Sequence, residues 1–347
     1  MDLYSVVACQ TGFPKGNLAK NLNNALEIIR GIAEAYCLTA PVKLIVFPEY
    51  MCGWEGDTAK EMRESGIEIP GPETDKLVKL AKELDLYIVP GSWIERDPDY
   101  GLPFNTAFLV GPQGVLIKYR KINVFSPCDQ ELSPHDLLTA GYDLKKNPLF
   151  PVAKTEIGNI GLAICYDMVF PEVARQLAYN GAEILVGCSG WFNPYGSQIL
   201  DWWNTCTKAR SIENLCYGVY MGSSASFSQQ PPFSASGYST IVDFEGRVLA
   251  KMGEGTAHTF ALFNIDMLRH YRKTSRQNNM LAQNRVEAYD YWKIPKRKMY
   301  PELAKKDDMS KAEQEELECE SFEEFYSKYY SEEVRFPRLG EEWWKKF

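Results

Sequence analysis

Gly161-Leu162-Ala163-Ile164-Cys165-Tyr166-Asp167-Met168-Val169-Phe170-Pro171-Glu172 is the stretch that decides how this chain is read. The small and apolar residues leading to the cysteine have the composition of a strand buried on both faces. The Phe-Pro-Glu step that follows opens a helix, because a proline in the first turn gives up no hydrogen bond. A strand that runs almost directly into a helix is the unit of α/β architecture. The same step carries Cys165 to the rim of a sheet, beside unpaired N–H groups and the positive end of a helix, where a thiol loses its proton more readily. Two other apolar runs end on ionisable residues in the same way, Leu44-Ile45-Val46-Phe47-Pro48-Glu49 and Val115-Leu116-Ile117-Lys118-Tyr119-Arg120-Lys121. If these ends converge, Glu49, Lys121 and Cys165 share one site.

Outward from this stretch, strand-like and helix-like segments alternate through the first two-thirds of the chain. Strands are expected at Leu3–Cys9, Val42–Phe47, Tyr87–Ile94, Asn105–Val110, Val115–Tyr119, Ile160–Cys165, Ile184–Cys188 and Tyr217–Ser223. Further strands at Ala235–Asp243, Val248–Lys251 and Thr259–Asn264 are separated by short turns such as Phe244-Glu245-Gly246-Arg247, as antiparallel pairs would be. Helices are expected at Asn17–Tyr36, Glu73–Leu84, Pro171–Asn180 and Trp202–Glu213. There is no internal repeat. Beyond Ile265 the character changes: from Arg269 the chain turns polar and helix-prone, and from Lys296 it is a dense mixture of Lys, Glu and aromatics. We read residues 1–265 as one catalytic domain and 266–347 as a C-terminal arm. Its aromatics suit either a solvated tail or an element that wraps a neighbouring subunit.

Composition narrows the class. With 347 residues, 45% hydrophobic and 24% charged, the chain has the make-up of an ordinary globular protein with a large core. A net charge of −8 argues against a nucleic-acid partner, whose phosphates need clustered Lys and Arg. No run reaches the roughly 20 apolar residues of a membrane helix, and the first residues lack the basic start of a signal peptide, so a cytoplasmic protein off the membrane is expected. The 9 cysteines are scattered and form no CxxC pair, which predicts free thiols in place of a disulfide framework or zinc ribbon. The three histidines, His135, His258 and His270, stand far apart in no metal-ligand pattern, so no metal is expected. A cysteine nucleophile here would find its base in a carboxylate or amine instead of an imidazole.

Taken singly, each candidate has a plainer reading. A buried cysteine is most often a core residue, Glu49 could be a solvated loop carboxylate, and Lys118, Arg120 and Lys121 could be the charges that protect an edge strand. As a set they do chemistry. Glu49 follows a Phe-Pro step where it loses hydration, which suits it to proton transfer near neutrality. Lys121 would supply the fixed charge that stabilises a thiolate and then an oxyanion, with the Tyr166 N–H as second donor.

At these residues the chain resembles the nitrilase superfamily of carbon–nitrogen hydrolases, over roughly Leu3 to Asn264. The shared motifs are Phe47-Pro48-Glu49, Tyr119-Arg120-Lys121, Cys165-Tyr166-Asp167 with Phe170-Pro171-Glu172, Gly181-Ala182-Glu183, Ala209-Arg210-Ser211-Ile212-Glu213-Asn214 and Gly237-Tyr238-Ser239-Thr240-Ile241-Val242-Asp243-Phe244-Glu245-Gly246. The resemblance implies a four-layer αββα sandwich, no cofactor, and homo-oligomers built from dimers. The segment Arg276–Leu281 through Arg285–Tyr289 looks like the arm of aliphatic amidases and formamidases, a branch that usually forms hexamers. Cys-Tyr-Asp stands where a nitrilase generally has Cys-Trp-Glu, which favours an amide over a nitrile.

The resemblance also implies a second glutamate after the lysine, and Glu131 is taken for it with Asp129 as the alternative. For the substrate pocket it points to Tyr50, Phe125, Tyr166 and Trp191, and core packing is the plainer reading of Phe125 and Trp191. Glu172, Arg175, Arg210 and Glu213 are read as structural. The expected activity is hydrolysis of a small amide to carboxylate and ammonia through a cysteine thioester. N-carbamoyl amide hydrolysis and nitrile hydrolysis are alternatives, and a non-catalytic assembly protein is the rival of a different class.

Overall fold

The computed structural model describes residues 3–12, 16–35, 40–53, 59–125, 131–191, 201–225, 235–289 and 310–329. In chain order the elements are β1 (Tyr4–Gln10), α1 (Leu18–Ala35), β2 (Val42–Val46), α2 (Ala59–Ser65), α3 (Pro72–Leu84), β3 (Tyr87–Val89), β4 (Ser92–Arg96), β5 (Pro103–Gly111), β6 (Gly114–Arg120), β7 (Val152–Thr155), β8 (Gly158–Ile164), α4 (Pro171–Tyr179), β9 (Ile184–Ser189), α5 (Trp202–Asn214), β10 (Tyr217–Gly222), β11 (Thr240–Val242), β12 (Val248–Lys251), β13 (Ala257–Phe263) and α6 (Ile265–Thr274). Short 3-10 turns occupy Pro134–Ala140 and Cys165–Val169, and a further helix runs over Lys311–Tyr329.

The strands form two sheets. One runs β13-β1-β2-β3, continues to β5, and takes in β4 and β6, which also pair with β5; the other runs β12-β11-β10-β9-β8-β7. Neighbours β1/β2, β2/β3, β8/β9 and β9/β10 are parallel, and the outer strands are antiparallel. Alternation along each strand sets the layers. On β1, Val7 and Cys9 pack with Leu22 and Ile29 of α1 and Leu77 and Ala81 of α3, whereas Tyr4, Val6 and Ala8 face Leu162, Val186 and Val219 of the second sheet. Val173, Ala174 and Leu177 of α4 complete the second outer layer. The result is the αββα sandwich, and each fully buried Leu, Ile or Phe in it contributes roughly 1.5–3 kcal/mol.

Two expected strands differ. Tyr87–Ile94 is broken at Pro90-Gly91, because proline cannot donate to the ladder, and β3 and β4 each pair with β5 separately, at Ile88↔Val110 and Ser92↔Ala107 onward. Gly91 has φ +73, and a Cβ there would lie 1.7 Å from the Pro48 carbonyl oxygen. Only glycine lets the chain pass so close beneath the Phe-Pro-Glu step. Of Ala235–Asp243, only Thr240–Val242 is strand; the rest is loop knitted by side chains, with Gln10 taking hydrogen bonds from the N–H and hydroxyl of Ser239 at 2.9 and 2.8 Å. No helix among the described residues is long and apolar enough to cross a membrane.

Candidate active site

The ends of β2, β6, β8 and β9 meet at one edge of the sandwich. Lys121 follows β6 directly and is 1% exposed; Glu49 lies three residues past β2 and is 3% exposed. Lys121 Nζ donates to Glu49 Oε1 at 2.9 Å. Asn105, on the inward face of β5, donates to the same oxygen at 2.9 Å and accepts the Lys121 backbone N–H at 2.9 Å. The Gly190 N–H, just past β9, donates to Glu49 Oε2 at 2.7 Å. The carboxylate is thus gripped from both sheets. An ion pair this dry is held by hydrogen bonds as much as by charge, since attraction alone hardly repays the lost hydration.

Cys165 does not end the strand, as the composition of Ile160–Cys165 suggested; β8 stops at Ile164. Cys165 opens the 3-10 turn at φ +48, a left-handed conformation that costs a non-glycine residue roughly 1–2 kcal/mol. Such strain is kept where the surroundings impose it, commonly at functional sites. In the parallel ladder Ile164 pairs with Cys188, which sets Cys165 level with Ser189, one residue before the glycine that holds Glu49. The thiol residue is half-buried, whereas Cys9, Cys52, Cys188 and Cys216 are buried.

What imposes the turn is Asp167. Its fully buried carboxylate accepts hydrogen bonds from Tyr119 Oη at 2.8 Å, the Ile164 N–H at 3.2 Å, and the Asn123 N–H and Nδ2 at 2.8 and 2.9 Å. Tyr119 and Asn123 lie two residues to either side of Lys121, and Asp167 lies two residues after Cys165, so one side chain ties the cysteine turn to the lysine strand. From the far side Arg210 of α5 donates to the carbonyls of Met168 and Val169 at 3.1 and 2.8 Å and pairs with Glu213 at 2.9 Å. Arg210 and Glu213 are therefore paired, and the pair buttresses the cysteine turn.

Burial pushes Asp167 up to about 6, against the pull of the Asn123 and Tyr119 donors and the Lys121 charge. The native protein therefore keeps a proton between about pH 4 and 6 that the unfolded chain has released. The stability linked to that proton is full below about pH 4 and is lost as pH rises to about 6, by about 2–3 kcal/mol. Asp167→Asn abolishes this dependence. In urea unfolding from pH 4 to 7, wild type is expected to lose about that much relative to the variant; a constant difference would show that Asp167 titrates normally.

Four of the other expected residues touch one another in pairs. Tyr50, at φ +53, donates its hydroxyl to the buried Glu131 carboxylate. Asp129 lies outside the described residues. Phe125 meets Tyr166 edge-on at 5.1 Å between ring centroids, and Tyr166 meets Phe170 at 5.1 Å. Trp191 follows Gly190, stacks at a tilt on Trp203 at 5.7 Å, and accepts hydrogen bonds at its carbonyl from the Ser236 N–H and hydroxyl. Among the described residues no group of three or more His, Cys, Asp or Glu is placed to hold a metal. Sequence reasoning missed Asn105, Gly190 and the bridging role of Asp167. A polar residue beginning an otherwise apolar inward face, Asn105-Ala107-Leu109, was the available signal for the first; nothing local marks the others.

A family model described as carbon-nitrogen hydrolase matches residues 5–273. A formamidase of Bacillus cereus (strain Q1) is 34% identical over 205 residues, covering 58% of this chain and 56% of that protein, so the chain spans little more than half the length of the curated relatives it matches. Among solved structures, a Saccharomyces cerevisiae member of branch 10 of the nitrilase superfamily superposes with TM-score 0.66 at 22% identity, covering 79% of this chain and 95% of that one. An amidase from Nesterenkonia sp. AN1, solved as a mutant with the acetamide moiety of fluoroacetamide added covalently at its active-site cysteine, superposes with TM-score 0.60 at 18% identity, covering 82% and 94%. At these identities the two structures speak to fold.

Proposed function

Because the chain belongs to the carbon–nitrogen hydrolase family, we propose that it hydrolyses a small aliphatic amide to a carboxylate and ammonia, with Cys165 as nucleophile. The observation that carries this is the buried Glu49–Lys121 pair at 2.9 Å, tied through Asp167 to the strained turn that presents the half-buried thiol of Cys165. Cys165 Sγ attacks the carbonyl carbon as its proton passes to Glu49. Lys121 Nζ and the Tyr166 N–H receive the developing oxyanion. Glu49 returns the proton to the nitrogen, the C–N bond breaks, ammonia leaves, and a thioester remains. Water then gives a proton to Glu49 and its hydroxyl adds to the thioester. The C–S bond breaks, and the thiol recovers the proton. Glu131, held by Tyr50, orients the substrate nitrogen; Tyr50, Phe125, Tyr166 and Trp191 wall a small slot. The formamidase relatives favour an amide of the shortest kind. A homo-oligomer in which residues 266–347 reach another subunit belongs to the same reading, supported by the exposed Phe322 and Tyr326 on helix Lys311–Tyr329.

The test is ammonia release over a panel of formamide, acetamide, longer amides, carbamoyl compounds and nitriles. Equimolar ammonia and carboxylate from a short amide is the expected result. Carbon dioxide alongside ammonia would move the assignment to carbamoyl amides, and turnover of nitriles alone would refute the amide reading.

A further inference from the structure

We propose that Asn105 is a positioning residue that decides which oxygen of Glu49 carries the proton. This rests on the amide-hydrolase reading. Glu49 Oε1 takes two donors, Asn105 Nδ2 and Lys121 Nζ, each at 2.9 Å, which fills both lone-pair directions of that oxygen. Oε2 takes the Gly190 N–H at 2.7 Å, and among the described residues no second donor takes its other direction, which suits a thiol, an amide N–H or a water. Proton traffic is thereby confined to Oε2.

Two further observations fit this role. Asn105 fixes both members of the pair, since its backbone carbonyl takes the Lys121 N–H at 2.9 Å while its side chain holds Glu49. It is 1% exposed, yet among the described residues its Oδ1 receives no hydrogen bond. Buried amides normally satisfy both ends. Here one end is left unsatisfied so that the N–H2 end meets the carboxylate; the reversed amide would set oxygen against oxygen and hold only if Oε1 were protonated. The other ionisable groups near Glu49 are Lys121 after β6, Cys188 on β9, Cys165 after β8, and Tyr50 with Glu131. The Cys188 thiol is pushed up by burial first and by the Glu49 charge second.

Asn105→Asp and Asn105→Ala test the assignment. N105D keeps the shape but turns a donor into a negative group against Oε1; N105A frees Oε1 to take the proton. Both are expected to lower kcat about 10–100-fold with KM within about threefold, and to move the acid limb of the kcat/KM profile upward, by about one pH unit for N105D. Glu49 is also titrated without turnover, by carbon-13 NMR of glutamate-labelled protein with the signal identified from its loss in Glu49→Gln. An acid limb and a Glu49 signal that titrate as in wild type, in variants that unfold within a few degrees of it, would overturn the proposal. Wild-type protein that hydrolyses no amide while its Glu49 signal still shifts in N105A and N105D would overturn the amide reading and leave this assignment standing.

Discussion

Cys165→Ala lowers ammonia release from the best amide by about four orders of magnitude or more, to the level of the reaction without protein, because the proposed thioester needs the Cys165 sulfur. The folded state should hardly change. Alanine at φ +48 bears the same left-handed strain as cysteine, and the Asp167 and Arg210 contacts that fix the turn are kept. Ammonia assays with thermal unfolding as the control check this. Turnover above about a hundredth of wild type would remove Cys165 from the mechanism. The other buried thiols among the described residues offer no substitute: burial pushes Cys9 up to about 12 and Cys216 to about 11, and pushes Cys188, beside Glu49, up as well.

Lys121→Met separates the two jobs of the lysine. Methionine has a similar reach and no charge, so the variant strands the Glu49 carboxylate, 3% exposed, against Asn105 and Gly190 alone. Removing one partner of a buried ion pair costs about 3–5 kcal/mol, and denaturant unfolding should show a loss of that size. Turnover should fall by about three orders of magnitude, since the oxyanion loses its charged donor and the thiolate its counter-charge. Adding Glu49→Gln to Lys121→Met should restore most of the stability, because an amide no longer demands a cation, and restore none of the activity. If the double variant is as unstable as the single, the loss comes from packing and not from the stranded charge. If the single variant turns over at the wild-type rate, Lys121 has no part in the chemistry.

Local sequence made the three residues proposed for catalysis legible because each sits where a strand-forming run stops. A run such as Leu44–Phe47 or Gly161–Ile164 declares its own strand by composition, and the polar residue after it must lie at a sheet edge. The helices were legible for the same reason, with Pro72 and Pro171 at their first turns. Where the reading failed, local preference was overruled. The apolar span Tyr87–Ile94 was one run by composition, but Pro90-Gly91 splits it so that the chain can pass under Pro48. Ala235–Ser239 is turned out of a ladder at Gly237 and Tyr238, both at positive φ, and its N–H groups go to separate partners, Ser236 to Trp191, Gly237 to Ser223 and Tyr238 to Gly253.

By itself, then, the sequence determined the α/β layering and the positions of Glu49, Lys121 and Cys165, since both depend on periodicity and on residues adjacent along the chain. Tertiary structure alone decided that Asn105, 56 residues from Glu49, and Gly190, 141 residues away, hold its two oxygens. It alone decided that Asp167 binds the cysteine turn to the lysine strand across 44 to 48 residues. Hydrogen bonds between strand ends are set by which strands become neighbours and in what register, and no window of sequence contains that information.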